Sequence, residues 1–424
     1  MKASEIKALL KDGALKRYSN LYFDIKSETK RFLAAIEAFE TTYGEDRDIA
    51  IFSVPGRSEI IGNHTDHNGG KVMAGAISRD IIAVASKNDK NVIRFRSEGF
   101  AEDSVRLADI ASPKNFKNFT SRALVAGMAN GFKLRGYEIG GYDAYLTTKV
   151  LKGSGLSSSA AFEVMIGNVI NHFYMNGSVD NKEIACIAQY SENEYFGKPC
   201  GLMDQMACAV GSFVYIDFAN KEAPRVEPIE FSLSKAGYAL CIVNTGGSHA
   251  NLNEDYASVP AEMKRAASAM GKDILCGISR DEIISAAKKI RTAAGDRALL
   301  RSLHFTDECE RVDAARAALS CGDTDGFLAS VIASGNSSFK YLQNVYTNKA
   351  PEEQGLSLAL ALSEGYLSGR GGAWRVHGGG FAGTIQAFVK LSDLEGYIAL
   401  LDGVFGAGAV DVLDIRPIGA AKLF

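Results

Sequence analysis

The stretch GYDAYLTTKVLKGSGLSSSAAFEVMIGNVINHFYM, Gly141 to Met175, joins a β-branched, aromatic run to a long apolar one through a loop of glycine and serine. The first ten residues have the composition of a strand. AAFEVMIGNVINHFYM carries apolar side chains on most faces, which predicts a buried helix beginning near Ser157 to Ala160. Unpaired N–H groups at such a helix start, together with its dipole, favour an anion. Gly153 and Gly155 let the chain approach phosphate oxygens closely, and the serine hydroxyls can donate to phosphate or ligate a cation. A plain Gly/Ser turn with a serine N-cap accounts for the same residues equally well. Two familiar nucleotide folds are excluded: there is no GK[ST] of a Walker loop, and Ser158 stands where a dinucleotide fingerprint needs its third glycine.

Outward from this unit, SETKRFLAAIEAFETTYG places Phe32, Leu33, Ile36 and Phe39 at helical spacing behind a Ser27 cap. DIAIFSVPGR reads as a strand running into a polar loop. DIIAVASK, YALCIVNTG, GTIQAFVKL and AVDVLDIRPI are further strands, and several helices lie between about Tyr256 and Ser368. NKEIACIAQYSENEYFG is a helix, and GLMDQMACAVGSFVYIDF passes from helix to strand. Strands and helices are interspersed without regular βαβ alternation, so the expected class is α+β rather than a doubly wound sheet. The charged segment FANKEAPRVEPIEFSLSK, with two prolines, suggests a domain break near Asp217 to Lys235.

The chain has 424 residues, 46% apolar and 23% charged, with a net charge of −3. That length accommodates two domains. The charge offers no general attraction to nucleic acid or anionic lipid. No apolar run approaches the ~18 residues of a membrane span, and MKASEIKALLKDG lacks the apolar core of a secretory signal. Seven scattered cysteines without a CxxC fit reduced thiols, and the expected location is cytoplasmic.

VPGRSEIIGNHTDHNGGKV, Val54 to Val72, packs Arg57, Glu59, Asn63, His64, Asp66, His67 and Asn68 between glycines. His64, Asp66 and His67 could ligate a metal, but the chain has only six histidines to complete such a centre. Short Asp, Asn and His side chains suit a ring of sugar hydroxyls better, because they offer both donors and acceptors. A third stretch, RVHGGGFAGTIQAFV, sets Gly378 to Gly380 just before a strand, where backbone can come close to a ligand.

Taken together and in this order, the stretches resemble the GHMP kinase superfamily and, within it, the galactokinase family. GRSEIIGNHTDHNGG is similar to the signature GR-x-N-x-IGEHTDYN-x-G, GSGLSSSAA to the family's ATP loop, GGGFAG to its third motif GGGFGG, and SENEYFGKPCGLMDQ to the segment bearing the catalytic aspartate. The resemblance runs from about Pro55 to Gly383 and is weakest over Glu254 to Leu362. It implies an α+β chain with an N-terminal ribosomal-protein-like domain (1–218) and a C-terminal ferredoxin-like domain (219–424), acting as a monomer on a sugar and ATP with Mg²⁺. By motif, Asp204 would take the proton of the anomeric hydroxyl and Arg57 would sit beside it. Asn63, His64, Asp66, Gly201 and Tyr256 would contact the sugar. Gly153, Ser154, Gly155, Leu156, Ser157, Ser158 and Ser159 would hold ATP, and Ser158, Ser159 and Glu192 the metal. Galactose is the expected acceptor, with galacturonate or another galactose-configured sugar as the runner-up and a non-catalytic sugar sensor as the rival. Asn63 replaces the signature's glutamate, His67 its tyrosine, Glu59 falls at its asparagine, and Ala382 interrupts the third motif. The Asn63 amide is expected to tolerate an acidic sugar carbon where a glutamate would repel it.

Overall fold

The computed structural model describes residues 1–150, 155–247 and 252–424. Among them, two sheets form. The larger has eight strands and is built on β1 (Ala50–Ile61) and the long β2 (Lys71–Lys87), joined by β3 (Val92–Ser97), β4 (Asp103–Arg106), β5 (Tyr142–Thr148), β6 (Phe213–Asp217), β7 (Arg225–Ile229) and the chain's last strand, Ala421–Lys422. β2 is shared: Lys71–Gly75 pairs with β6, Ile81–Lys87 pairs with β5, and β1 runs antiparallel along its other edge. Only β3 and β5 pair in parallel among the described strands.

β1 is buried along its whole length because both faces of the sheet are covered. Its side chains divide with the two-residue period of a strand. Ile51, with Ile49 just before the strand, packs with α1 (Ala3–Lys11) and α2 (Ile25–Tyr43), while Ala50, Phe52 and Val54 join the main core. That core also takes in α3 (Ser121–Leu134), α4 (Ser158–Met175), α5 (Asn181–Tyr190) and α6 (Met203–Val210). α2 forms where its apolar spacing predicts, but its cap is Asp24, not Ser27. The Asp24 carboxylate accepts the Ser27 backbone N–H at 2.9 Å, so the serine supplies a donor from the first turn.

The second sheet is antiparallel, in the order β11–β8–β10–β9, with β8 (Tyr238–Asn244), β9 (Ala373–Val376), β10 (Thr384–Lys390) and β11 (Val410–Leu413). Between β8 and β9 lie α7 (Asn253–Ala269), α8 (Arg280–Ser285), α9 (Ala287–Ala294), α10 (Asp296–Cys321), α11 (Thr324–Ser337) and α12 (Gly355–Leu367); α13 (Leu394–Phe405) follows β10. Val312 and Ala315 of α10 and Phe327 and Val331 of α11 join Leu240 and Phe388 of the second sheet to the main core. The first sheet takes in β7 and the C-terminal strand, both beyond residue 218, so the expected boundary there does not separate the two sheets. The α+β architecture is as the sequence suggests. No helix among the described residues is long and apolar enough to cross a membrane.

Candidate active site

β1 does not end at Pro55. It continues through Pro-Gly-Arg to Ile61, with register shifts against β2 between Pro55 and Arg57 and between Glu59 and Ile61. Bulges of this kind re-aim side chains, and here they fall beside Arg57 and Glu59, which are strand residues and not loop residues as the sequence suggests. A Cβ on Gly56 would stand 2.7 Å from the Leu156 carbonyl oxygen, so this strand and the Gly/Ser loop meet only because residue 56 has no side chain. The Arg57 N–H donates to that same carbonyl at 3.1 Å.

Arg57 reaches across to α6. Its Nε donates to Asp204 Oδ1 at 2.8 Å and its Nη2 to Oδ2 at 2.6 Å, a two-pronged pair, while Nη1 donates to the Gly155 carbonyl. Ser157, at φ +56°, precedes α4 at the N-cap position but makes no cap hydrogen bond. Its hydroxyl turns to Asp204 Oδ2 instead. The serine-cap reading of the loop therefore fails at the one residue that would have carried it. Burial would push the Asp204 carboxyl up, but the Arg57 guanidinium and the hydroxyl of Ser157 hold it below the usual carboxylate range. Asp204 keeps 31% of its side chain exposed.

That exposed part opens into a cavity of about 320 Å³ lined by Glu59, Asn63, His64, Asp66, Lys198 and Gly201 among others, the size of a small-ligand site. A Cβ on Gly201 would lie 2.7 Å from Asp66 Oδ2, so glycine leaves that carboxylate its place. His64 Nε2 lies 3.0 Å from the Gly379 carbonyl. A carbonyl only accepts, so Nε2 carries the proton and Nδ1 is left as an acceptor. Burial pushes this imidazole down to about 4, so it is neutral near pH 7.

Asn63 lines the cavity but is saturated by the protein. Its amide donates to Glu59 Oε1 at 2.8 Å and to the Gly378 carbonyl at 2.7 Å, and its oxygen accepts from Asn344 at 2.7 Å. Neither hydrogen is left for a sugar carboxylate, which corrects the expectation drawn from this residue. Tyr256 is not among the residues lining the cavity. Its hydroxyl donates to the Gly380 carbonyl at 2.9 Å and its ring meets Phe381 edge-on, so it stands behind the glycine loop.

Glu192 lies on a π-helical turn, Ser191–Phe196, that ends α5. Turns of this type recur at functional sites. Its Oε2 accepts from Gln205 at 2.7 Å and its Oε1 from Lys198 at 3.2 Å. Beside it, Glu163 Oε1 and Gln205 Oε1 are buried acceptors without a hydrogen-bond partner among the described residues, a donor set short of a proton or a cation. The described residues hold no group of three or more His, Cys, Asp or Glu placed to cage a metal. A hard cation here would take one carboxylate, serine hydroxyls and phosphate oxygens, a combination that suits Mg²⁺. Ser158 and Ser159 are half-buried at the start of α4. Gly153 and Ser154 lie outside the described residues.

Comparison with known proteins follows the same lines. Residues 37–87 match the galactokinase galactose-binding signature, and residues 122–212 match the GHMP kinases N-terminal domain. The galactokinase of Streptomyces coelicolor is 31% identical over 379 residues, covering 88% of this chain and 93% of that protein. The chain belongs to the galactokinase family. The galactokinase of Streptomyces lividans is likewise 31% identical, over 84% of this chain and 85% of its own. The crystal structure of Lactococcus lactis galactokinase complexed with galactose superposes with a TM-score of 0.77 at 25% identity, over 92% of this chain and all of that one. A mevalonate kinase structure, at 16% identity and a TM-score of 0.59, shares the fold.

Within this galactokinase-family chain, the region of weakest resemblance supplies the struts of the sugar loop. His304 of α10 lies 2.9 Å from the Asn63 carbonyl, Glu308 accepts the Gly62 N–H at 3.0 Å, and Asn344 holds the Asn63 side chain. The sequence reading missed these three, and it also missed Lys198 at the cavity wall and Glu59 as a lining carboxylate. Contacts spanning more than two hundred residues leave no local pattern. Lys198, in the GKPCG segment just before Gly201, was within reach of the motif.

Proposed function

We propose that this chain transfers the γ-phosphoryl group of ATP to the anomeric hydroxyl of galactose. The observation that carries the reading is the Arg57–Asp204 pair, which opens on one side to a sugar-sized cavity and is bonded on the other to Gly155 and Ser157 of the Gly/Ser loop. Asp204, held ionised, accepts the proton of the anomeric hydroxyl; the hydroxyl oxygen bonds to the γ-phosphorus as the bond to the β–γ bridging oxygen breaks, and ADP leaves. Arg57 keeps the base charged and steadies negative charge on the transferring group. His64 Nδ1 and Asp66 offer acceptors to sugar hydroxyls. Residues 155–159, leading into α4, cradle the phosphates, as a helix N-terminus favours. Ser158, Ser159 and Glu192 would hold Mg²⁺, which when bound neutralises charge on the β- and γ-phosphates.

The lining charge favours a neutral sugar. Of the three carboxylates that line the cavity, Asp204 and Glu59 pair with Arg57 and Arg375, Asp66 has no arginine or lysine partner among the described residues, and the one ammonium among the lining residues, Lys198, already pairs with Glu192. A uronate would meet Asp66 and no cation left to pair with it, so galacturonate is disfavoured. The test is to incubate the purified protein with Mg²⁺ and ATP over a panel of galactose, galacturonate, N-acetylgalactosamine, arabinose and glucose, following ADP release and the sugar phosphate by phosphorus NMR. Galactose 1-phosphate is expected as the leading product. Sugar binding without ADP release from any member of the panel would mark a sensor instead.

A further inference from the structure

Glu59 is a strand residue with 8% exposure that nevertheless lines the sugar cavity. Its two carboxylate oxygens are used unequally. Oε1 accepts from Asn63 Nδ2 at 2.8 Å and faces Arg375 Nη2 at 3.5 Å. Oε2 has no hydrogen bond to the protein among the described residues, and it is not one of the sealed, partnerless polar atoms. With Oε1 taken by Asn63, Oε2 is the oxygen that Glu59 can offer to the cavity it lines. The neighbouring Asn63 has both amide hydrogens committed, to Glu59 and to the Gly378 carbonyl, and its oxygen accepts from Asn344. One member of this touching pair has capacity left for a ligand and the other has none.

The sequence adds a second meaning to the pair. In the signature GR-x-N-x-IGEHTDYN, the asparagine falls at residue 59 and the glutamate at residue 63; this chain has Glu59 and Asn63. The two departures are one reciprocal exchange across a hydrogen bond. It keeps a single carboxylate and a single amide in contact and moves the charge from the loop to the strand, beside the fully buried Arg375 of β9.

We propose that Glu59 is the specificity-determining carboxylate of this pocket: its Oε2 accepts a hydrogen bond from a hydroxyl of the galactose-configured sugar, while Asn63 is a positioning residue that orients Glu59 and ties it to the Gly378 turn. This rests on the sugar-kinase reading above. It names an acceptor on the strand where the signature points to one in the loop.

Glu59→Gln is the decisive variant. The amide oxygen it introduces can still accept from Asn63, so the fold is expected to survive, but the cavity end changes from acceptor to donor. KM for galactose should rise about ten- to a hundredfold, as loss of a hydrogen bond to a charged group implies, while kcat stays within about threefold because the group does not touch the anomeric oxygen. The same comparison is run with galactose analogues each lacking one hydroxyl other than the anomeric one. For the analogue without the hydroxyl that Glu59 receives, wild type and variant should bind equally; for the others the gap should persist. A gap of the same size for every analogue, or none for galactose, overturns the proposal. Should Glu59→Gln melt early, Glu59→Asp, which keeps the charge but withdraws the oxygens by one methylene, enters the same comparison with the same two outcomes. The exchange Glu59→Asn with Asn63→Glu should recover at least about tenfold of the kcat/KM lost in either single variant; failure to recover any overturns the pairing. Calorimetric titration of galactose without ATP separates the two readings. A wild-type protein that binds galactose but transfers no phosphate sinks the kinase reading, and the effect of Glu59→Gln on that binding still decides the role of Glu59.

Discussion

Two arginine–carboxylate pairs flank the cavity, and they share a strand. Arg57 and Glu59 are two residues apart on β1, yet each belongs to a different pair: Arg57 with Asp204 of α6, Glu59 with Arg375 of β9. The first is two-pronged, at 2.8 and 2.6 Å, and its carboxylate is held below the usual range. The second has one long contact of 3.5 Å, because Arg375 Nη1 is engaged by the Ile60 carbonyl at 2.7 Å; burial pushes Glu59 up, and Arg375, Asn63 and Arg57 only partly offset it. The same two residue types thus give opposite shifts. Each guanidinium also gives one N–H to a backbone carbonyl, so the difference lies in the contact: two short N–H donors and the Ser157 hydroxyl outweigh desolvation at Asp204, whereas one long contact does not at Glu59. A base that must be ionised near pH 7 needs the first arrangement, and a hydrogen-bond acceptor for hydroxyls works with the second.

The contrast can be broken most severely at Asp204. Asp204→Asn is nearly isosteric but takes no proton, so turnover should fall roughly 10²- to 10⁴-fold, with sugar affinity little changed. Asp217→Asn, on β6, serves as the control. Retention of more than about a tenth of wild-type turnover would show that Asp204 is not the base. At the other pair, Arg375→Met removes a buried guanidinium and leaves Glu59 with Asn63 alone; urea denaturation should show a loss of about 3–5 kcal/mol, the usual cost of breaking a buried pair. Arg57→Met should lower kcat/KM by about 10²- to 10³-fold and move the acid limb of its pH profile. In wild type the depressed Asp204 is ionised down to below the ordinary carboxylate range, so activity falls only as pH drops past that point. Without Arg57, burial acts with less opposition, the carboxyl takes up its proton earlier, and the limb shifts to higher pH. A limb that stays in place would separate Arg57 from the protonation of Asp204.

How much of this was legible differs along the chain for physical reasons. The motif residues Arg57, Asp204, His64, Asp66 and Gly201 do converge, because each is fixed by a local signal: a bulged strand, a helix start, a glycine that leaves room. The strands and helices followed from two- and 3.6-residue periodicity. The failures are tertiary. Asp24, not Ser27, caps α2, a matter of three residues that periodicity does not resolve. Tyr256 and Asn63, named as sugar contacts, are committed to the backbone of residues 378–380, over a hundred residues away along the chain. His304 and Asn344 carried no signal in sequence, and Arg375, though it opens the RVHGGG stretch, gave no sign of its partner; only the folded chain brings the first two to the loop and the third to Glu59 on β1.

The smallest expected effect tests whether proximity of a cation suffices, or whether the cation must also be buried. Lys198 lines the cavity, pairs with Glu192 at 3.2 Å and contributes after Arg57 and Ser157 to holding Asp204 down. Unlike Arg57, it keeps 57% of its side chain exposed, so water and salt screen its field. Lys198→Met should therefore move the acid limb in the same direction as Arg57→Met but by less, and the shift should shrink as ionic strength rises. Its effect on turnover should be severalfold, not the hundredfold expected at Arg57, unless the ammonium also touches the transferring phosphoryl group. In that case kcat would drop while KM for galactose held, and the loss would persist at pH values well above the limb, where Asp204 is fully ionised in both proteins. Measuring kcat on that plateau, at low and high salt, distinguishes an ammonium that only tunes the base from one that meets the phosphate.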